Sequence, residues 1–247
     1  MDTQKRVRRK NKNWLICLLL LMGLALCLFL YIGIRQRIEA MESEIIGAKL
    51  EPRQLQAAFS GADTSEASLS YIKCRKLGYV DDGYLDIVNQ QLSAIPAYIQ
   101  DAFVRDNWAV YVTDIDIGQT YYSGKYDMVM GSTNFEEKRI LIEDRMDAVY
   151  ESPIHEVGHW FDLYLGLVSS TDEFKAVYQA ESASFIQAYG SDCVRDEMEL
   201  FAEGFWYYIV DPAGLRTVSP QLYQFLQLRY YQFRIMRTWY EYSSIFA

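Results

Sequence analysis

The chain has 247 residues, 51% of them hydrophobic, and a formal charge of −9, a length that fits one medium folded domain with appendages rather than two. Residues 1–13 carry six Lys/Arg against Asp2, a net of +5, and residues 14–34 carry no charge, which leaves −14 for residues 35–247. So acidic a domain argues against nucleic acid as a partner, binds anionic lipid poorly and disfavours acidic substrates, although solubility alone would account for the charge.

In chain order, the basic tail of residues 1–13 leads into WLICLLLLMGLALCLFLYIGI at 14–34, which is 21 residues long. At about 1.5 Å per residue it spans roughly 30 Å, the thickness of a bilayer's hydrocarbon core. A cleaved signal peptide is the competing reading, but its apolar region is ordinarily shorter, about 7–15 residues, and ends in small residues. The segment is therefore read as an uncleaved signal-anchor. The excess of Lys/Arg on its N-terminal side keeps residues 1–13 in the cytoplasm and sends the rest outside the cell. Secretion after signal cleavage is the alternative.

Residues 35–50 continue as a mixed-charge helix until Pro52, and 60–70 (SGADTSEASLS) reads as a linker, so 35–70 forms a juxtamembrane region. The folded domain is expected over 71–247. Within it, 84–104 reads as helix interrupted at Pro96. Residues 108–117 and 139–143 (RILIE) read as strands. Residues 131–139 (GSTNFEEKR) read as a loop over a cleft. Apolar spacing of three and four predicts helices over 153–165, 172–189, 196–210 and 220–240. The fold class is α+β, with strands early and helices late. Cys74 and Cys193 are permitted a disulfide in an exported domain, but their separation in sequence does not argue for one.

The chemistry concentrates in Ser152-Pro153-Ile154-His155-Glu156-Val157-Gly158-His159-Trp160-Phe161-Asp162. Ser152 suits an N-cap, Pro153 the first helical position, and Gly166 the residue after the helix end. His155 and His159 lie four apart, so both rings leave one helix face a turn apart and can reach one Zn²⁺ at about 2.0–2.1 Å. Glu156 sits beside that face, within reach of a metal-bound water's proton. The chain has only two histidines, and both fall in this motif. Two randomly placed histidines land four apart in roughly 1 chain in 125, which makes a helix that merely buries two histidines the weaker reading.

Catalytic zinc takes three protein ligands and keeps one position open. With no third histidine, the remaining ligand must be a carboxylate. Glu199 and Glu203 stand four apart on an otherwise apolar helix with Leu200, Phe201, Phe205 and Trp206, where buried acids need a cation or donors. A solvated acidic stripe is the bland alternative. Asp162, three residues after His159, is placed either to accept from a ligand imidazole or as an ordinary exposed helix residue. Trp160 and Phe161 read as core.

HEVGHWFD followed by EMELFAEGFWYY resembles the catalytic domain of anthrax lethal factor and the bacterial Pro-Pro endopeptidases, whose pattern is HExGHxxD, a Tyr-Gly, then ExxFAExF. The resemblance covers roughly 75–240 and implies a small zincin-like catalytic domain: a zinc metalloendopeptidase with one Zn²⁺ per chain. By position it makes His155, His159 and Glu199 the ligands and Glu156 the general base. Glu203 becomes an acid behind the ligands, and Ala202 and Phe205 helix packing. Tyr189-Gly190 matches the Tyr-Gly, which implies Tyr189 as the oxyanion stabiliser, although the gap to Glu199 is about three residues longer than the family's. The implied partner is a peptide or protein substrate, proline-containing ones included, bound by β-addition beside strand 139–143. A catalytically silent, membrane-tethered zinc-binding or interaction module with the same fold is the alternative. Intact Glu156 argues against it.

Overall fold

The structure is a computed structural model that describes residues 69–126, 129–190 and 194–245, with side chains to residue 236. The expected tail, anchor and linker, and Cys193, lie outside the described residues, and Cys74 is a buried free thiol. Among the described residues no helix is long and apolar enough to cross a membrane.

The first half of the domain is a four-stranded sheet with helices between its strands. Strand β1 (Cys74–Leu77) leads to helices α1 (Asp82–Ser93) and α2 (Ala97–Arg105), with Pro96 at the break between them. Strand β2 (Ala109–Thr113) follows, then the short helix α3 (Ile117–Tyr122) and the hairpin of β3 (Gly131–Asn134) with β4 (Arg139–Glu143). The order across the sheet is β1-β2-β4-β3. β2 pairs in parallel with β1 (Cys74↔Val110) and with β4 (Ala109↔Arg139), while β3 runs antiparallel to β4 (Gly131↔Ile142). Val110, Val112, Ile140 and Ile142 are fully buried, as β-branched residues at the centre of a covered sheet should be.

Two expectations are corrected here. Strand 108–117 is cut to β2, because the Asp116 carboxylate accepts from Gln119 N–H and starts α3 at Ile117. The expected loop at 131–139 begins as a strand: among the described residues β3 is the sheet's edge, and β4 lies inside it. The turn between them is made by Asn134, whose side-chain oxygen accepts from the N–H groups of Glu136 and Glu137.

The second half is helical: α4 (Met146–Tyr164), a 3₁₀ turn (Val168–Ser170), α5 (Asp172–Tyr189), α6 (Glu197–Val210), α7 (Pro212–Val218) and α8 (Pro220–Ile245). α4 begins seven residues before Pro153, so Pro153 sits inside the helix and Ser152 is not its cap. Burial of Ala148 and Val149 at 0% exposure holds the extra turns and outweighs the backbone hydrogen bond that proline cannot donate. At the other end Gly166 adopts φ +85°, with Leu167 N–H on Asp162 O at 2.8 Å and Gly166 N–H on Leu163 O at 2.9 Å. This is a Schellman closure that needs a residue free to be left-handed.

α4 is buried on nearly every side because it lies between the sheet and the other helices. Trp160 meets Phe103 of α2 edge-on at 5.1 Å, while Phe161 packs with Phe205 of α6 at 5.2 Å and Phe233 of α8 at 5.3 Å. The start of α8 is held by buried Glu181, whose two carboxylate oxygens accept from Gln221 and Leu222 N–H at 2.9 Å each.

Candidate metal centre

The centre forms where α4 and α6 cross. Gly158 faces Ala202, and a Cβ on Gly158 would lie 2.9 Å from Ala202 Cα and 3.1 Å from its carbonyl oxygen. Two small residues thus bring the helix backbones together, and α6 delivers its acids to the histidine face of α4. Asp196 caps α6 by accepting from Glu199 N–H at 3.0 Å, which fixes the first turn from which Glu199 projects.

His155 Nε2 and His159 Nε2 are 3.1 Å apart, and Glu199 Oε2 lies 3.4 Å from the first and 3.6 Å from the second. Donor atoms about 2.0–2.1 Å from a tetrahedral ion stand roughly 3.3 Å from one another. The three edges of this triangle bracket that value, so the residues fit a zinc ion. Behind the triangle, Glu203 Oε1 lies 2.9 Å from His155 Nδ1. A proton on Nδ1 donated to Glu203 leaves the Nε2 lone pair pointing at the triangle's centre. Glu203 is 5% exposed and His155 9%, so this orientation is set inside the protein.

Without a metal, the cluster's charges compensate one another. Burial pulls His155 down, but hydrogen bonds to Glu199 and Glu203, with the charges of Glu156 and Glu203, push its pKa up to about 10. Burial raises Glu199, yet the hydrogen bonds and charges of both histidines hold its carboxyl well below the usual carboxylate range. Arg195 contributes from outside: its guanidinium is 3.3 Å from Glu199 Oε1 and lies over the Tyr126 ring at 4.8 Å.

Glu156 is 6% exposed and turns away from α6 toward the sheet edge. Thr133 Oγ1 on β3 donates to Glu156 Oε2 at 2.6 Å and lies 3.0 Å from its main-chain oxygen. The sequence reading missed Thr133, and nothing in GSTN marks it.

Two expected site residues stand elsewhere. Asp162 is neither exposed nor bonded to an imidazole: it is fully buried and accepts from Ser169 N–H at 2.9 Å and from the Ser169 hydroxyl, tying the 3₁₀ turn to the end of α4. Tyr189 stacks on Tyr207 with ring centroids 3.8 Å apart, and burial and the Asp211 charge raise its pKa. Tyr207 lies eight residues beyond Glu199, about 12 Å along α6, and the Tyr189 hydroxyl makes no hydrogen bond to the cluster among the described residues. Gly190, its partner in the motif, has φ +66° and ends α5. The Tyr-Gly pair here marks a helix terminus.

No curated protein matches the chain. A solved structure of the Pro-Pro endopeptidase PPEP-2 from Paenibacillus alvei superposes with a TM-score of 0.49 and 21% identity, over 64% of this chain and 95% of that one. The family described as anthrax toxin lethal factor, N- and C-terminal domain, matches residues 79–228, more than half of the chain and all of the elements that build the triangle. The chain belongs to the anthrax lethal factor family.

Proposed function

We propose that the chain is a membrane-anchored, extracellular zinc endopeptidase. The observation that carries the reading is the triangle of His155, His159 and Glu199 donor atoms, with edges of 3.1, 3.4 and 3.6 Å, beside a buried carboxylate that is not part of it. His155, His159 and Glu199 would hold one Zn²⁺, and Glu203 fixes the His155 ring. A Zn²⁺ held there would supply Lewis-acid polarisation of the scissile carbonyl and a water of lowered pKa. Glu156 takes the proton of the attacking water and returns it to the leaving amine. Among the described residues β3 pairs with β4 alone, which leaves a side on which an extended peptide can add as a further strand and suits a peptide substrate. Proline-containing peptides are the proposed substrates, by family likeness. The proposed anchor is 14–34, with residues 1–13 in the cytoplasm and the catalytic unit outside.

The test is the full chain in detergent, loaded with zinc and offered a library of peptides that includes Pro-Pro sequences. Cleavage abolished by a chelator is expected. Glu156→Gln should keep its zinc and lose about 10²–10⁴-fold in kcat. Undiminished cleavage by that variant removes Glu156 as base, and a chain that binds no zinc removes the reading as a whole.

A further inference from the structure

Thr133 and Gly131 lie two apart on β3, and alternate residues of a strand share a face. Both meet the same group. The Thr133 hydroxyl donates to Glu156 Oε2 at 2.6 Å. A Cβ on Gly131 would stand 2.7 Å from Glu156 Oε1 and 2.9 Å from its Cγ. Ser132, between them, points the other way and meets the Tyr122 hydroxyl at 2.9 Å. One face of the edge strand thus offers a hydroxyl to one carboxylate oxygen and an empty space to the other. The helix explains why the carboxylate arrives there: Glu156 follows His155 by one residue, about 100° around α4, so the histidines face α6 while Glu156 faces β3.

We infer that β3 is the positioning element of the general base, with the Thr133 hydroxyl fixing the Glu156 carboxylate and the missing side chain at Gly131 leaving it room. The inference rests on the peptidase reading for its catalytic consequence, but not for its geometry. Thr133 and Gly131 act through Glu156 and do not touch the reacting atoms. A carboxylate with one oxygen held by a hydroxyl keeps the other free for the water proton, and a buried side chain with fewer rotamers is aligned in more of its encounters. The hydroxyl has a single proton, and of its two acceptors the Glu156 carboxylate oxygen at 2.6 Å is nearer than the Glu156 main-chain oxygen at 3.0 Å.

The test has two arms on the full chain in detergent. In the first, Thr133→Val, Thr133→Ser and Gly131→Ala are loaded with zinc and assayed on a cleaved peptide. Thr133→Val is expected to hold one zinc per chain, keep KM within about threefold and lose kcat at least about tenfold. Thr133→Ser, which restores the hydroxyl, should return to within about threefold of the parent. Gly131→Ala should keep its zinc and lose kcat, since the added methyl displaces the carboxylate. A Thr133→Val enzyme with kcat within twofold of the parent overturns the proposal.

The second arm needs no activity. Unfolding constants of the metal-free chain are measured for Thr133→Val in the parent and in a Glu156→Ala background. An effect at least about fivefold larger when Glu156 is present supports the hydrogen bond to the carboxylate. Equal effects in both backgrounds overturn it. If the parent cleaves nothing, the peptidase reading fails on the first arm while the second still decides whether β3 holds Glu156.

Discussion

Replacing Gly158 by alanine tests whether the α4–α6 crossing builds the metal centre. The new Cβ would sit 2.9 Å from Ala202 Cα, 3.1 Å from Ala202 O and 3.3 Å from Phe205 Cβ. Carbon atoms prefer about 3.5–4.0 Å, and two of the three neighbours are backbone that no rotamer change can move. The helices must therefore part by about 0.6–1 Å at the crossing. Overpacking of this kind costs about 1–3 kcal/mol, while alanine regains up to about 1 kcal/mol of helix propensity. The net expectation is about 1–2 kcal/mol of lost stability in the metal-free chain, read as a fall in thermal midpoint of roughly 2–8 °C. The same displacement carries Glu199 and Glu203 away from the histidines. Zinc distances tolerate only about 0.2 Å, so a chelator competition should show zinc bound at least about tenfold more weakly. Gly166→Ala is the control: φ is +85° with nothing within 4 Å of the added methyl, so strain costs about 1–2 kcal/mol while zinc affinity stays unchanged. A Gly158→Ala chain with the parent's midpoint and with zinc affinity within threefold would refute the close-approach argument.

Zinc uptake should release protons. His155, with its pKa pushed up to about 10, carries a proton at pH 7 that a coordinating nitrogen must give up, so apparent affinity rises by up to about tenfold per pH unit from 7 toward 10; calorimetry in buffers of different ionisation enthalpy measures the count. The same raised pKa gives the metal-free chain a stability contribution fully present below about pH 6.5 and lost as pH climbs through about 10, which pH-dependent unfolding reads. Glu203→Ala removes the partner of His155 Nδ1 and should weaken zinc binding by about 10–100-fold, read by the same chelator competition. Tyr189→Phe should leave kcat within about twofold, because its hydroxyl is buried without a hydrogen-bond partner among the described residues and its ring rests on Tyr207; a loss of 10²-fold or more would place it at the oxyanion instead.

What was legible in the sequence was what is local. Gly166 sits at the helix end expected of it because capping is decided within a few residues, and α5 and β4 fall on their expected bounds. The pairing of His155 with His159 needs only one helical turn. Glu199 and Glu203 were visible because two acids among Leu200, Phe201 and Phe205 demand a partner, and His155 with His159 meets that demand. Most of the misses are tertiary; the shortened strand at 108–117 is the local exception, ended by the Asp116 cap. Gly131-Ser-Thr-Asn has little strand propensity and is a strand because it pairs with β4. Pro153 is interior because Ala148 and Val149 are buried against their surroundings. Tyr189-Gly190 matched a motif by composition, and only the distance along α6 separates a helix-ending Tyr-Gly from one aimed at a metal.

The arrangement also explains why so polar a cluster survives burial. Three carboxylates, Glu156, Glu199 and Glu203, meet one protonated histidine and the Arg195 guanidinium. These cationic partners meet the acids from inside the cluster and from its rim. A bound dication would replace the His155 proton as the positive charge that these acids face. An apolar helix face would tolerate neither acid without such compensation, since an unpaired buried charge costs several kcal/mol. Arg195 therefore belongs to the electrostatics of the filled site as much as to the empty one: its pairing with Glu199 Oε1 leaves Oε2, the oxygen that faces both imidazoles, free for the ion.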